Sequence, residues 1–128
     1  MEDRRHNSGR VGRNGEDLSC RYLIGLGHTV IDRNWRAGHL EIDIVSIDGN
    51  GIHFVEVKSR TVPFEAPPQE SVTRSKQKKL YDAARRYLAG KGSRLSGDME
   101  CHFDIISVIF GRDRADIKFF PDAFIPGL

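Results

Sequence analysis

The sequence predicts an α/β fold, one mixed central sheet flanked by helices in the order α-β-β-β-α-β-β. Three observations carry that prediction. Two stretches space apolar residues three and four apart, as one face of a helix requires. Five shorter stretches are β-branched or alternate apolar with polar residues, and clusters of Gly, Pro, Asn and Asp separate the elements. At 128 residues the chain has the length of one domain, 1–128, with one continuous core. Its basic start, residues 1–13, is expected to flank that core with freedom to flex.

The first helix is expected from Gly15 to Leu26, where Leu18, Tyr22, Leu23 and Leu26 make the apolar stripe and Gly25 and Gly27 end it. HTVIDRNW reads as the first strand, running into a turn at Ala37-Gly38. HLEIDIVSI alternates, so Ile42 and Ile44 are expected on one face and Glu41, Asp43 and Val45 on the other. Asp48-Gly49-Asn50-Gly51 supplies hairpin-turn residues. The returning strand, IHFVEVKSR, sets Val55 and Val57 against Phe54, Glu56 and Lys58. TVPFEAPPQE is too rich in proline for a sheet and reads as a surface loop. A second helix follows from Val72 to Leu88, with Leu80, Ala83, Ala84, Tyr87 and Leu88 as its stripe. CHFDIISVIF has the unbroken apolar character of an interior strand, ADIKFF makes a shorter last strand, and Phe124 and Ile125 are expected to pack as an irregular tail.

Composition narrows the function classes. An apolar fraction of 38% and a charged fraction of 30% are ordinary for a globular domain, and no apolar run reaches the roughly 20 residues that span a bilayer. The charged N-terminus lacks the apolar region of a secretory signal, so a cytoplasmic location is expected. Cys20 and Cys101 lack metal or redox spacing and read as buried free thiols. Net charge is only +2, but Arg4, Arg5, Arg10 and Arg13 crowd the start and Arg74, Lys76, Lys78, Lys79, Arg85 and Arg86 crowd the second helix. Such clusters suit a phosphate-bearing partner or a plain solvated face.

The chemistry-bearing residues sit on the hairpin. Asp43 on one strand and Glu56 with Lys58 on the next offer two carboxylates and an amine to one place. Phosphodiester hydrolysis needs a hard dication to neutralise phosphate and acidify a water, and carboxylate oxygens are the ligands such ions prefer. An amine beside them could orient the water or stabilise charge at phosphorus. The alternative is a structural Glu-Lys pair. Glu41 shares the face of Asp43 and is a candidate third ligand. Glu16, in the first helical turn, could equally serve the helix dipole. Lys76 lies on the sheet-facing stripe of the second helix, so its stem either snorkels past the sheet edge or its amine reaches the carboxylates. His39, His53 and His102 are scattered without ligand spacing. Trp35 and Arg36 could clamp a nucleic-acid strand or pack on the core.

Ordered motifs run through most of the chain: G-x-x-G-E-D-L from Gly12 to Leu18, R-N-W-R from Arg33 to Arg36, E-I-D from Glu41 to Asp43, F-V-E-V-K-S-R from Phe54 to Arg60, and H-F-D-I-I from His102 to Ile106. In these the chain resembles the YraN family of small bacterial proteins, placed in the PD-(D/E)XK nuclease superfamily near archaeal Holliday-junction resolvases. Leu40 stands where that family commonly has Gly.

The resemblance implies a restriction-endonuclease-like fold and a Mg²⁺- or Mn²⁺-dependent endonuclease acting on DNA, branched or damaged substrates included, in recombination or repair. By it, Asp43, Glu56 and Lys58 match the catalytic triplet, Glu16 the extra acid of the first helix, and Lys76 with Gln77 an accessory polar position. Metal would be held by Asp43 and Glu56 with Glu41, and DNA contacts are expected from Arg13, Arg36, Arg60, Arg74, Lys78 and Arg85. A two-fold homodimer would suit a symmetric junction, by analogy with resolvases. Two other classes stay open: a nucleic-acid-binding module without cleavage, and a metal-binding interaction domain docked through its proline-rich loop.

Overall fold

The computed structural model describes residues 4–62, 73–95 and 97–125, with side chains from residue 13 onward. The elements are α1 (Arg4–Gly25), β1 (Thr29–Ala37), β2 (Leu40–Asp48), β3 (Gly51–Thr61), α2 (Arg74–Ala89), β4 (Cys101–Phe110) and β5 (Ala115–Phe120), the order read from the sequence. The helix α1 starts at Arg4, well ahead of the expected Gly15. From residue 63 the proline-rich stretch assigned to a loop lies outside the described residues.

The strands form one five-stranded sheet in the order β1-β2-β3-β4-β5. The β1-β2-β3 meander is antiparallel, β3 and β4 run parallel through the α2 crossover, and β5 returns antiparallel to β4. Two hydrophobic layers hold the helices on. Leu80, Ala83, Ala84 and Tyr87 of α2 pack with Ile42, Val45, Ile52, Phe54 and Phe103 on one face. Cys20 and Leu23 of α1 pack with Ile44, Val55, Ile106 and Val108 on the other. Fully burying a side chain such as Phe54 or Leu23 stabilises by about 1.5–3 kcal/mol, enough to fix strand register once one face is chosen.

Several local expectations need correction. Ile42 and Ile44 do not share a face: Ile42 joins the α2 layer and Ile44 the α1 layer, so simple alternation breaks at Asp43 between them. Leu26 lies past the end of α1 and is exposed, while Ser19 and Cys20 take the buried positions. Cys101 is exposed, unlike Cys20. Trp35 packs on the core, edge-on to Tyr87 with ring centroids 5.5 Å apart. In the tail Phe124 packs against Phe103, whereas Ile125 is exposed.

At the β2-β3 turn Asp48 accepts from the Asn50 N–H at 2.9 Å, and Gly51 takes φ +137°. A Cβ there would run into the Glu100 carbonyl, so the position admits only glycine without moving the start of β4. Among the described residues no helix is long and apolar enough to cross a membrane.

Candidate active site

The site is built where the β2-β3 ladder opens. Paired residues run from Asp48 with Gly51 back to Ile44 with Val55, and at the next position the strands part. There Asp43 Oδ2 accepts the Val57 N–H at 2.8 Å, so a side chain replaces a strand as the partner of that amide. Across the other ladder Asn34, between the pairs Arg33 with Ile44 and Trp35 with Ile42, takes φ 50°, a left-handed conformation that asparagine tolerates better than most residues. Local sequence thus sets the break: an Asn able to adopt positive φ on one side and a short acid able to cap an amide on the other.

The break brings Asp43 and Glu56 near enough for each to act on the other's ionisation. Burial first, and then the Glu56 charge, push the Asp43 carboxyl up to about 8 despite the Val57 N–H; Glu16 and Glu41 add to the rise. Burial also raises Glu56, opposed by the positive charges of Lys76 and Lys58. Ionising both carboxyls in this desolvated site is costly, because it sets the Glu56 charge beside that of Asp43. A dication would remove that cost.

Of the other expected residues, Lys76 is exposed at the start of α2, yet its charge is the strongest favourable one on Glu56. Lys76 is thus off the sheet-facing stripe on which the sequence placed it, because the buried face of α2 runs through Leu80, Ala83, Ala84 and Tyr87. Glu16 is largely buried and faces Arg33 Nη2 at 4.0 Å, the same guanidinium that donates to Asp17 Oδ1 at 2.6 Å. Glu41 is held at the rim, with its carboxylate more than half exposed and 3.5 Å from Arg36 Nε. Lys58 lies on the Glu56 face of β3 and is engaged in its surroundings.

The expected DNA-contacting residues divide in two. Arg74, Lys78 and Arg85 are exposed on α2 at spacings that line one face, and Arg85 lies over the Tyr81 ring with its Cζ 5.9 Å from the centroid. Arg13 on α1 and Arg36 on β1 are exposed and separate, and Arg60 is half-buried near the end of β3.

The profile of the uncharacterised protein family UPF0102 matches residues 15–108, from within α1 into β4. The chain belongs to the UPF0102 family. It is 40% identical to a UPF0102 protein of Chlorobium limicola over 93% of this chain and 95% of that one. A UPF0102 protein of Chlorobaculum parvum is 42% identical over 79% and 76% of the two chains, and one of Nitratidesulfovibrio vulgaris 37% over 97% and 88%. UPF0102 is the YraN family that the ordered motifs resemble.

Sequence reasoning missed a second cluster. His28, Asp48 and His53 bring ligand atoms within 4.8 Å of one another on the α1 side of the sheet. Each comes from a different segment, so no spacing in the sequence could have announced them.

Proposed function

We propose that this UPF0102 chain is a Mg²⁺- or Mn²⁺-dependent endonuclease acting on DNA. The observation that carries the reading is the geometry at the β2-β3 break, where Asp43, held by the Val57 N–H at 2.8 Å, and Glu56 are both withdrawn from water and burial raises both carboxyls. The Glu56 charge raises Asp43 further, so a cation held between them would relieve the cost of ionising both. The donor set fits, since Mg²⁺ commonly takes one or two carboxylates and fills the rest of its octahedron with water and phosphate oxygen. Bound there, the ion would acidify a water and neutralise the phosphate.

The chain's own groups supply the rest. The Val57 N–H fixes the Asp43 carboxylate in orientation. Lys58 and Lys76 lend positive charge beside Glu56, where negative charge grows on a phosphate under attack. The Arg74, Lys78 and Arg85 face of α2 would track a phosphate backbone, and Tyr81 within it offers a ring for stacking.

The test is incubation with linear, flap and four-way-junction DNA in Mg²⁺ and in Mn²⁺, with Asp43→Asn protein prepared in parallel. Cleavage of at least one substrate by the parent, and none by the variant, is expected. Equal cleavage by both would refute the assignment. Binding of DNA without cleavage of any substrate would favour the non-catalytic module instead.

A further inference from the structure

We propose a second metal site, separate from the Asp43–Glu56 pair, in which His28, His53 and Asp48 hold a borderline divalent ion such as Zn²⁺. His53 lies on the α1 face of β3, opposite the face that carries Glu56. Both imidazoles aim Nε2 at one carboxylate: His28 Nε2 is 3.3 Å from Asp48 Oδ2, and His53 Nε2 is 2.7 Å from Asp48 Oδ1. A tetrahedral zinc with bonds of about 2.0–2.1 Å keeps neighbouring donor atoms about 3.3 Å apart. The His28 separation, to Oδ2, already has that value; the His53 separation, to Oδ1, needs to open by about half an ångström, and one oxygen serves both rings only once the Asp48 carboxylate turns.

The surroundings are those of a metal site. Ligating histidines characteristically engage their other ring nitrogen with a carboxylate or hydroxyl that fixes tautomer and ring orientation. His53 Nδ1 donates to Asp104 Oδ2 at 2.6 Å, and Asp104 is fully buried, its other oxygen accepting the Asp122 N–H at 2.8 Å. His28 Nδ1 lies 2.9 Å from Ser46 Oγ, a hydroxyl that can serve either tautomer. The His28 and His53 rings sit 4.5 Å apart, and the His102 ring stacks on His53 at 4.7 Å.

Charge points the same way. Two buried or largely buried carboxylates, Asp48 and Asp104, face imidazoles. Asp48 keeps some solvent contact beside the turn, which gives an ion its way in. Nitrogen donors set this site apart from the all-oxygen pair: Zn²⁺ suits imidazole, while Mg²⁺ prefers oxygen.

The experiment measures binding, so it is independent of nuclease activity. Full-length protein carrying Asp43→Asn and Glu56→Gln is titrated with Zn²⁺, and bound metal is counted after gel filtration. One ion per chain is expected, falling to none when Asp48→Asn is added, with Asp48 chosen because it is the least buried ligand and Asn keeps its shape. His28→Gln should weaken affinity about 100-fold or more, and Asp104→Asn, which keeps every ligand, about 10–100-fold. Should these variants unfold, Co²⁺ absorption of the unsubstituted protein decides: a four-coordinate visible spectrum without a thiolate charge-transfer band supports the site. A thiolate band, pointing to Cys101, would overturn it, as would no bound metal or undiminished binding in Asp48→Asn.

Discussion

Asp43→Asn should stabilise the metal-free protein at alkaline pH while abolishing its response to metal. The amide keeps an oxygen for the Val57 N–H and the shape of a protonated carboxyl, so only the buried charge changes. An acid whose folded pKa is raised binds its proton more tightly in the folded state. Its contribution is therefore complete below the unfolded value near 3.8 and is lost as pH rises toward about 8. At about 1.4 kcal/mol per pKa unit, that span sets a ceiling of roughly 6 kcal/mol. Interaction with Glu56 and water entry reduce the expected gain to about 1–3 kcal/mol, or roughly 3–10 °C in Tm for a chain of this size. Thermal melts of both proteins in EDTA should differ less at pH 5 than at pH 8.5. Excess Mg²⁺ or Mn²⁺ should then raise the parent's Tm, by about 2.7 kcal/mol of stability at 100 times Kd, and leave the variant unmoved. A Tm difference that does not change between pH 5 and pH 8.5 would refute the account of the pair.

Other perturbations should fail differently. Lys58→Ala leaves both acids in place, so calorimetry should show Mn²⁺ affinity retained or raised while cleavage falls about 100-fold or more; normal cleavage would remove Lys58 from the site. Replacing Arg74, Lys78 and Arg85 together should flatten the salt dependence of DNA binding, by about 0.9 in log-log slope for each phosphate no longer neutralised, and an unchanged slope would move the interface off α2. Gly15→Ala sets a Cβ against Ser59 Oγ where α1 meets β3, so it should cost about 1–3 kcal/mol in chemical denaturation, and adding Ser59→Ala should recover most of it. Failure of that rescue would show that the clash is not with Ser59.

Element order was legible because each stretch carries its own period, and the candidate pair was legible because Asp43 and Glu56 lie on strands joined by one short turn. The break in alternation at Asp43 was not. It depends on Asn34 across the ladder and on the Val57 amide of the neighbouring strand, which no single window of sequence brings together. The histidine cluster was illegible for a related reason. Ligand spacing can be read only when ligands share an element, and His28, Asp48 and His53 come from just after α1, the end of β2 and the early part of β3. His53 read as an isolated strand histidine because its partners, Asp104 and Asp48, are visible only after the sheet closes. Glu41 shows the opposite limit: sharing an expected face with Asp43 did not bury it, because a strand end leaves it to Arg36 and solvent.

The parallel pairing of β3 with β4 also sets an order of assembly. The Asp43 bond to Val57 closes a loop of 14 residues, whereas the His53 bond to Asp104 closes one of 51. Loop-closure entropy makes the longer one about 1 kcal/mol costlier before any pairing energy offsets it. A chain emerging from its N-terminus can thus set Asp43 beside Glu56 while β4 is still unmade, and only later enclose His53. Pulse-labelled hydrogen exchange should find the Val57 amide protected ahead of the β4 amides; simultaneous protection would mean that the sheet condenses as one unit.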